Sequence, residues 1–173
     1  MTSSATAATT EARPAAAPSP SAPVGTVLVT GAASGLGRAV AGAVAAVGGT
    51  PLLLDRVDPR TADPALARAV SAVVDLADTR AAESAVDALV ARAGRLDAVV
   101  TAAGTDACGR MADVGAAEWE RVVQVNLLGT AAVIRAALPA LRESRGRIVT
   151  VASTLGLRAL SDASAYCAAK FGV

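Results

Sequence analysis

Tyr166 and Lys170 are the two residues of this sequence best suited to proton transfer. The chain contains a single tyrosine and sixteen basic residues, of which Lys170 is the only lysine. Residues four apart share one face of a helix, so the two side chains could converge on one site. A phenol ionises at about pH 10 in water, and a neighbouring cation stabilises its phenolate form. The pair could therefore act as a general acid–base near neutral pH.

A glycine-rich segment, TGAASGLG at residues 30–37, has the spacing of a loop that holds phosphate groups. Gly31 permits a tight turn, Gly35 lets the backbone approach a pyrophosphate, and Gly37 permits close packing of a helix on a strand. An apolar run precedes the loop and a helical pattern follows it, so free N–H groups of the helix would face the phosphates. The predicted dinucleotide-binding residues of this loop are Gly31, Ser34, Gly35, Leu36 and Gly37.

Asp55 ends the second apolar run, about 20 residues after the glycine loop. A carboxylate there can accept hydrogen bonds from the adenosine ribose hydroxyls and would repel a 2′-phosphate. Ser34 offers no compensating cation from inside the loop, whereas Arg56 adjoins Asp55 and could soften the discrimination. We therefore predict NAD as the cofactor, with NADP less favoured. The alternative interpretation makes Asp55 a turn residue that caps the next segment.

Short apolar runs alternate with longer amphipathic ones from Val24 onward. Strands that are apolar throughout and separated by helices are typical of a parallel sheet covered on both faces. We predict a single-domain α/β fold over residues 24–173, a doubly wound parallel sheet of Rossmann type with ligands at the carboxyl ends of its strands. The predicted strands are 24–30, 50–55, 69–75, 96–104 and 146–153. The predicted helices are 36–47, 79–94 ending on Gly94, 116–143 with a kink or break at Pro139, and one from about residue 163.

The composition argues against several other classes of protein. The net charge is +1, each aromatic residue type (Phe, Trp, Tyr) occurs once and histidine is absent, so neither nucleic-acid binding nor a metal site is expected. The two cysteines match no metal-ligand spacing. Residues 1–23 are rich in Ala, Ser, Thr and Pro and predict a disordered tail. Lacking a secretory signal and an uncharged apolar run of spanning length, the sequence predicts a cytoplasmic protein that does not enter a membrane.

TGAASGLG and YCAAK together resemble the short-chain dehydrogenases/reductases, from about Val24 to the last residue. The resemblance implies a Rossmann sheet that binds NAD or NADP and a catalytic set of Asn126, Ser153, Tyr166 and Lys170. Asn126, in VNLLG, is the only asparagine of the chain, and Ser153 precedes Tyr166 by the family's usual interval. Taken singly, Asn126 could be a helix amide that bonds locally, and Ser153 an ordinary strand-end hydroxyl.

The resemblance also implies a role for each of these residues. Tyr166 would exchange a proton with the substrate oxygen while hydride moves between the substrate carbon and the nicotinamide. Ser153 would hydrogen-bond the same oxygen and steady its charge. Lys170 would stabilise the phenolate and hold the nicotinamide ribose, and Asn126 would anchor a water molecule that connects Lys170 to solvent.

Positions after the third and fourth strands complete the implied cofactor site. Asp75 and Leu76 are expected to contact adenine, although Asp75 could instead be a turn or helix-capping residue. Ala103 and Gly104 would let the cofactor come close to the fourth strand. Where the family usually has Asn-Asn-Ala-Gly, this chain has TAAG at 101–104, which removes two amides that would tie neighbouring strand ends together.

The resemblance leads to expectations about the whole protein. Family members continue past the Tyr–Lys helix with further strands and a substrate-covering segment, so we expect a truncated sequence whose fifth strand is an open apolar edge. The implied activity is NAD(P)-dependent oxidoreduction of a secondary alcohol or ketone, by a homodimer or homotetramer in the full-length form. The alternatives are an NADPH-dependent 3-oxoacyl-type reductase and a catalytically inactive dinucleotide-binding fragment.

Overall fold

The computed structural model describes residues 24–61 and 63–173, and the predicted tail at 1–23 lies outside them. Within the described residues, five parallel strands form one sheet in the order β3–β2–β1–β4–β5. The strands are β1 Thr26–Thr30, β2 Thr50–Asp55, β3 Val70–Val73, β4 Ala98–Thr101 and β5 Arg147–Thr150. The strand order reverses at β1, where the chain next adds β4 on the other side. The predicted doubly wound parallel sheet is confirmed.

Helices cover both faces of the sheet. They are α1 Gly35–Ala46, α2 Thr79–Ala93, α3 Ala116–Val123, α4 Thr130–Ser144 and α5 Ser164–Gly172. Successive residues of a strand point to opposite faces, and β1 shows the consequence. Val27 and Val29 belong to the apolar cluster that contains Ala41 of α1, whereas Leu28 belongs to the cluster that contains Val86 of α2. Both clusters are buried, which explains why the strands are apolar throughout.

The predicted helix 116–143 is interrupted, but not at Pro139. A π-helical segment, Gln124–Gly129, separates α3 from α4, and α4 continues past Pro139 without a break. Pro139 lies on the exposed side of α4, where water can bond the carbonyl group that a proline leaves without a partner. A break at Pro139 was the wrong expectation, since the irregularity lies ten or more residues earlier.

Other predicted boundaries shift by a few residues. α2 ends at a left-handed Gly94, as predicted from the glycine after its last apolar residue. The fourth and fifth strands are shorter than predicted, so Ser153 follows β5 at a distance of three residues and does not end it. Extra residues after a strand are free to leave the sheet, and these two strands are followed by the loops that build the site.

The fifth strand is an open edge, as the sequence led us to expect. It pairs only with β4 among the described residues, and all four of its residues are exposed. Ile148 is 39% and Val149 52% exposed, so apolar side chains are solvent-accessible at this edge.

One helical stretch in the described part of the chain, Ala116–Ser144, is long and apolar enough to cross a membrane by length and composition alone. Core helices of globular proteins pass the same test. Here Val133 and Ala137 of α4 are fully buried in the cluster shared with α2 and the sheet. The stretch is accounted for by its place in the fold.

Candidate active site

Close backbone contacts shape the glycine loop between β1 and α1 at two of its three glycines. Gly31 has a φ of 69°, and a Cβ there would lie 2.9 Å from the backbone of Ala103. At Gly37 a Cβ would overlap the carbonyl oxygen of Gly31, so α1 packs directly on the turn. Gly35 has a φ of 48°, and an added Cβ there would meet no atom within 4 Å. The loop is packed tightly at Gly31 and Gly37 and open at Gly35.

A cleft of about 350 Å³ lies at the carboxyl ends of β1, β2, β3 and β4. This volume is within the range of small-molecule sites. The sequence-predicted cofactor residues that line it are Gly31, Ser34, Gly35, Leu36, Asp55, Asp75, Leu76, Ala103 and Gly104. Further lining residues include Arg56, Thr105, Arg121 and Val125. Gly37 contributes from beneath the loop, through packing.

Asp55 has a structural role as well as a place in the cleft. Its Oδ2 accepts a hydrogen bond from the Ala33 N–H at 2.9 Å, and its Oδ1 accepts one from the Val57 N–H at 3.3 Å. The interpretation of Asp55 as a turn residue is therefore correct. It does not exclude the interpretation of Asp55 as an acceptor for the ribose hydroxyls of a cofactor. A carboxylate oxygen has a second lone pair, so Asp55 can still accept a hydrogen bond from a ligand.

Asp75 is held at both carboxylate oxygens. Oδ1 accepts the Ala77 N–H at 3.0 Å, and Oδ2 accepts Arg121 Nη2 at 2.8 Å. The Ala77 N–H and the Arg121 guanidinium hold the pKa of Asp75 below its usual range, so this carboxyl group is ionised at neutral pH. Asp75 is a turn residue, but it does not cap α2; that role belongs to Asp78, which accepts two N–H groups of the first turn.

Tyr166 and Lys170 come together on α5, as their spacing predicts. The Nζ atom of Lys170 lies 5.5 Å from the centroid of the Tyr166 ring, within the range of a cation–π interaction. The same atom donates a hydrogen bond to the carbonyl oxygen of Val151, just after β5, at 2.7 Å. Lys170 is only 6% exposed, and this burial lowers the pKa of its ammonium group.

Asn126 lies in the π-helical segment and bonds to the loop after β4. Its Oδ1 accepts the Thr105 N–H and its Nδ2 donates to the Thr105 carbonyl oxygen, both at 2.8 Å. A local bond within the helix is thus the wrong interpretation, because the partner is 21 residues away. A Cβ on Gly104 would lie 3.3 Å from Asn126 Oδ1 and 3.9 Å from Lys170 Nζ. Gly104 therefore connects the cleft with both of these polar groups.

Ser153 begins a short 3₁₀ turn, Thr154–Gly156, and caps it by accepting the Leu155 N–H at 3.1 Å. The turn packs on α5 so closely that a Cβ at Gly156 would lie 2.5 Å from the carbonyl oxygen of Lys170. Ser153 and the Tyr–Lys helix are thus held by direct packing. The hydroxyl hydrogen of Ser153 remains available, since the cap uses only a lone pair of its oxygen.

Two threonines in or beside the TAAG segment were not predicted as site residues. The hydroxyl of Thr30 accepts the Ala103 N–H at 3.0 Å, which ties the end of β1 to the segment after β4. The hydroxyl of Thr101 is buried and has no hydrogen-bond partner among the described residues. The hydrogen bond between Thr30 and Ala103 joins residues 73 apart in sequence. No local sequence pattern could therefore have predicted this role of Thr30.

Asn126→Ala is expected to lower the free energy of unfolding by about 2 kcal/mol, because it leaves both polar backbone groups of Thr105 without a partner. Urea unfolding followed by circular dichroism measures the change. Leu128→Ala is the matched control, since Leu128 lies in the same π-helical segment but is 48% exposed; we expect less than about 1 kcal/mol. Equal losses for the two variants would contradict a stabilising role of the Asn126 amide.

Comparison with known proteins agrees with this architecture. A family model described as short chain dehydrogenase matches residues 25–173. The chain is 32% identical over 160 residues to trans-4-hydroxycyclohexanecarboxylate dehydrogenase of Sinomonas cyclohexanicum, a match that covers 84% of this chain and 61% of that protein. It is 32% identical over 151 residues to meso-2,3-butanediol dehydrogenase of Serratia marcescens, covering 85% of this chain and 60% of the relative.

A solved structure of a dehydrogenase has a similar fold. Carveol dehydrogenase from Mycobacterium avium, in complex with NAD, superimposes with a TM-score of 0.77 at 28% sequence identity, over 85% of this chain and 61% of that one. The chain spans about 60% of the length of the curated relatives it matches. Because the family model matches residues 25–173, which include the glycine loop, the cleft and the Tyr–Lys helix, this chain belongs to the short-chain dehydrogenase family.

Proposed function

We propose that this chain provides the cofactor site and the proton-transfer residues of an NAD-dependent oxidoreductase. The reaction is hydride transfer between a nicotinamide and the carbon of a secondary alcohol or ketone. The observation that carries the proposal is the junction at Gly104, which lines the glycine-loop cleft and lies beside Lys170, whose ammonium group faces the Tyr166 ring. A dinucleotide site that adjoins a phenol and a cation suits hydride transfer coupled to proton transfer.

The cleft fits a dinucleotide in shape and in charge. Open space at Gly35 lets a pyrophosphate approach the backbone, and the 12-residue helix α1 begins there. The side chain of Ser34 caps no N–H group of α1, so the first turn can donate to phosphate oxygens. The carboxylate of Asp55 would accept the ribose hydroxyls, and buried Leu76 would provide apolar surface for the adenine.

In this proposal the bound nicotinamide supplies or accepts the hydride, and the chain's own side chains handle the proton. Tyr166 exchanges a proton with the substrate oxygen, and Ser153 donates a hydrogen bond to the same oxygen. Lys170 stabilises the phenolate, and its remaining N–H donors hold the nicotinamide ribose. Asn126 fixes the loop at Thr105 and anchors a water molecule on the proton path.

A direct test is the formation of NADH by the 173-residue protein with NAD and a secondary alcohol. Two relatives are named for trans-4-hydroxycyclohexanecarboxylate and meso-2,3-butanediol, which both carry secondary hydroxyl groups and suit a first panel. NADH fluorescence reports turnover, and calorimetry reports cofactor binding independently. Binding without turnover for every secondary alcohol would favour the inactive dinucleotide-binding alternative. Failure to bind either NAD or NADP would refute the proposal.

NAD is the proposed cofactor because the Asp55 carboxylate would repel a 2′-phosphate. Asp55→Asn is the sharpest test, since an amide oxygen can still accept the Ala33 N–H while the negative charge is gone. We expect the affinity for NADP relative to NAD to rise about tenfold, measured by calorimetry. Asp58→Asn removes a partly exposed carboxylate three residues away and should leave the ratio unchanged. Tight NADP binding by the wild type would instead favour the NADPH-dependent 3-oxoacyl-type reductase.

We also propose that the protein forms a homodimer or homotetramer through the helical stretch Ala116–Ser144 and through α5, which carries Tyr166 and Lys170. Leu128, next to α4, and Phe171, on α5, support this part of the proposal because they are 48% and 55% exposed. Large apolar side chains at the surface favour burial against a partner. Analytical ultracentrifugation would test the proposed oligomer, and a monomer at all protein concentrations would refute it.

A further inference from the structure

We propose that Arg121 is a positioning residue of the cleft, which fixes the carboxylate of Asp75 so that it accepts a hydrogen bond from the exocyclic amino group of adenine. The inference rests on the proposed dinucleotide binding, and it gives a residue of α3 a role in the site. Arg121 acts through Asp75, and its effect should therefore appear in the choice of base.

The geometry of the ion pair supports this role. Arg121 reaches from α3 to the end of β3, and both members of the pair line the cleft. The two side chains are 42% and 43% exposed, so the pair is accessible to a ligand. One carboxylate oxygen of Asp75 is bound to Arg121 and the other to the Ala77 N–H. With both oxygens held, the carboxylate has one orientation, and each oxygen retains a lone pair for a further donor.

The Asp75 carboxylate of this ion pair favours a nucleotide base that presents a hydrogen-bond donor. An ionised carboxylate is an acceptor only, and it suits the amino group of adenine. In hypoxanthine a carbonyl oxygen replaces the exocyclic amino group of adenine. This oxygen carries a partial negative charge, and the Asp75 carboxylate would repel it. Leu76 and Val125 line the same cleft and offer apolar surface for either ring. Discrimination between the two bases therefore depends on the carboxylate and on what orients it.

The ion pair of Arg121 and Asp75 is expected to contribute little to the free energy of folding. Exposed ion pairs contribute about 0–1 kcal/mol to folding, because water screens them and their side chains lose freedom. The pair of Arg135 and Glu83 joins α4 to α2 with an arginine that is 60% exposed, and neither residue lines the cleft. Arg135 therefore serves as a matched control for Arg121: each arginine lies on a helix and pairs with a carboxylate from another element.

The experiment measures the affinity of the 173-residue protein for NAD and for nicotinamide hypoxanthine dinucleotide by calorimetry. The wild type should prefer NAD. Arg121→Gln should weaken NAD binding about fivefold and bring the ratio of the two affinities close to one. Asp75→Asn should shift the preference toward hypoxanthine, because an amide can donate to its carbonyl group. Arg135→Gln should leave both affinities unchanged.

An equal loss of affinity for both dinucleotides in Arg121→Gln, or an unchanged ratio, would overturn the inference while leaving the proposed function intact. Absence of dinucleotide binding in the wild type would refute both. Thermal unfolding of each variant separates misfolding from lost recognition. Should Arg121→Gln fail to fold, Arg121→Lys keeps the charge at this position, and it should retain part of the discrimination against hypoxanthine.

Discussion

Tyr166→Phe is expected to lower turnover at least about a hundredfold and to leave the affinity for NAD within about twofold of the wild type. The substitution removes only the phenol oxygen. The ring that faces the Lys170 ammonium group at 5.5 Å remains, and so does its packing beside Ala165 and Ala169 of the same helix. A positioned general acid–base typically contributes a factor of about 10²–10⁴ to the rate, so the loss falls on the chemical step.

The experiment compares NADH formation and NAD binding in the same preparations. Ser164→Ala is the matched control, because it removes a hydroxyl group from the same helix. In the wild type, Ser164 Oγ accepts a hydrogen bond from Trp119 Nε1 at 3.0 Å, on the side of α5 that faces α3. We expect turnover of Ser164→Ala within about threefold of the wild type, since an exposed hydroxyl contributes about 1 kcal/mol or less. Near-normal turnover in Tyr166→Phe would exclude Tyr166 as the acid–base.

Features encoded by short-range patterns could be predicted from the sequence. The run of apolar residues in each strand and the helical spacing between strands defined the doubly wound sheet. The glycine spacing at 31, 35 and 37 placed the loop between β1 and α1, and the interval between Tyr166 and Lys170 placed both on one helix face. These signals are local, because turn geometry and helix periodicity depend on neighbours in sequence.

Features that depend on distant contacts could not be predicted. No local pattern indicates that Arg121 pairs with Asp75, which lies 46 residues away. Nor does any local pattern show that the Asn126 amide bonds the backbone of Thr105. The π-helical segment is a further example, because its six residues read as ordinary helix. In each case a tertiary contact determines the outcome, and helix propensity describes only the local preference.

Gly37→Ala is expected to lower the free energy of unfolding by about 3 kcal/mol and to abolish dinucleotide binding. Gly37 lies in the first turn of α1 with no strain in its own φ, so the effect would come entirely from packing. A Cβ there would overlap the carbonyl oxygen of Gly31 and lie 2.8 Å from that of Thr30. Both neighbours are backbone atoms of a strand end and a tight turn, which cannot move aside as a flexible side chain would.

Gly42→Ala provides the matched control in the same helix. A Cβ at Gly42 would find its nearest neighbour, Asp63 Oδ2, at 3.7 Å, an ordinary contact. Alanine is the better helix former, so this variant should gain up to about 1 kcal/mol. The two substitutions are chemically identical and lie on one helix, so opposite signs in urea unfolding would isolate the contact between α1 and the glycine turn. A small loss in Gly37→Ala with normal NAD affinity would mean that the turn can yield, and close helix–strand packing would then not explain why glycine stands at position 37.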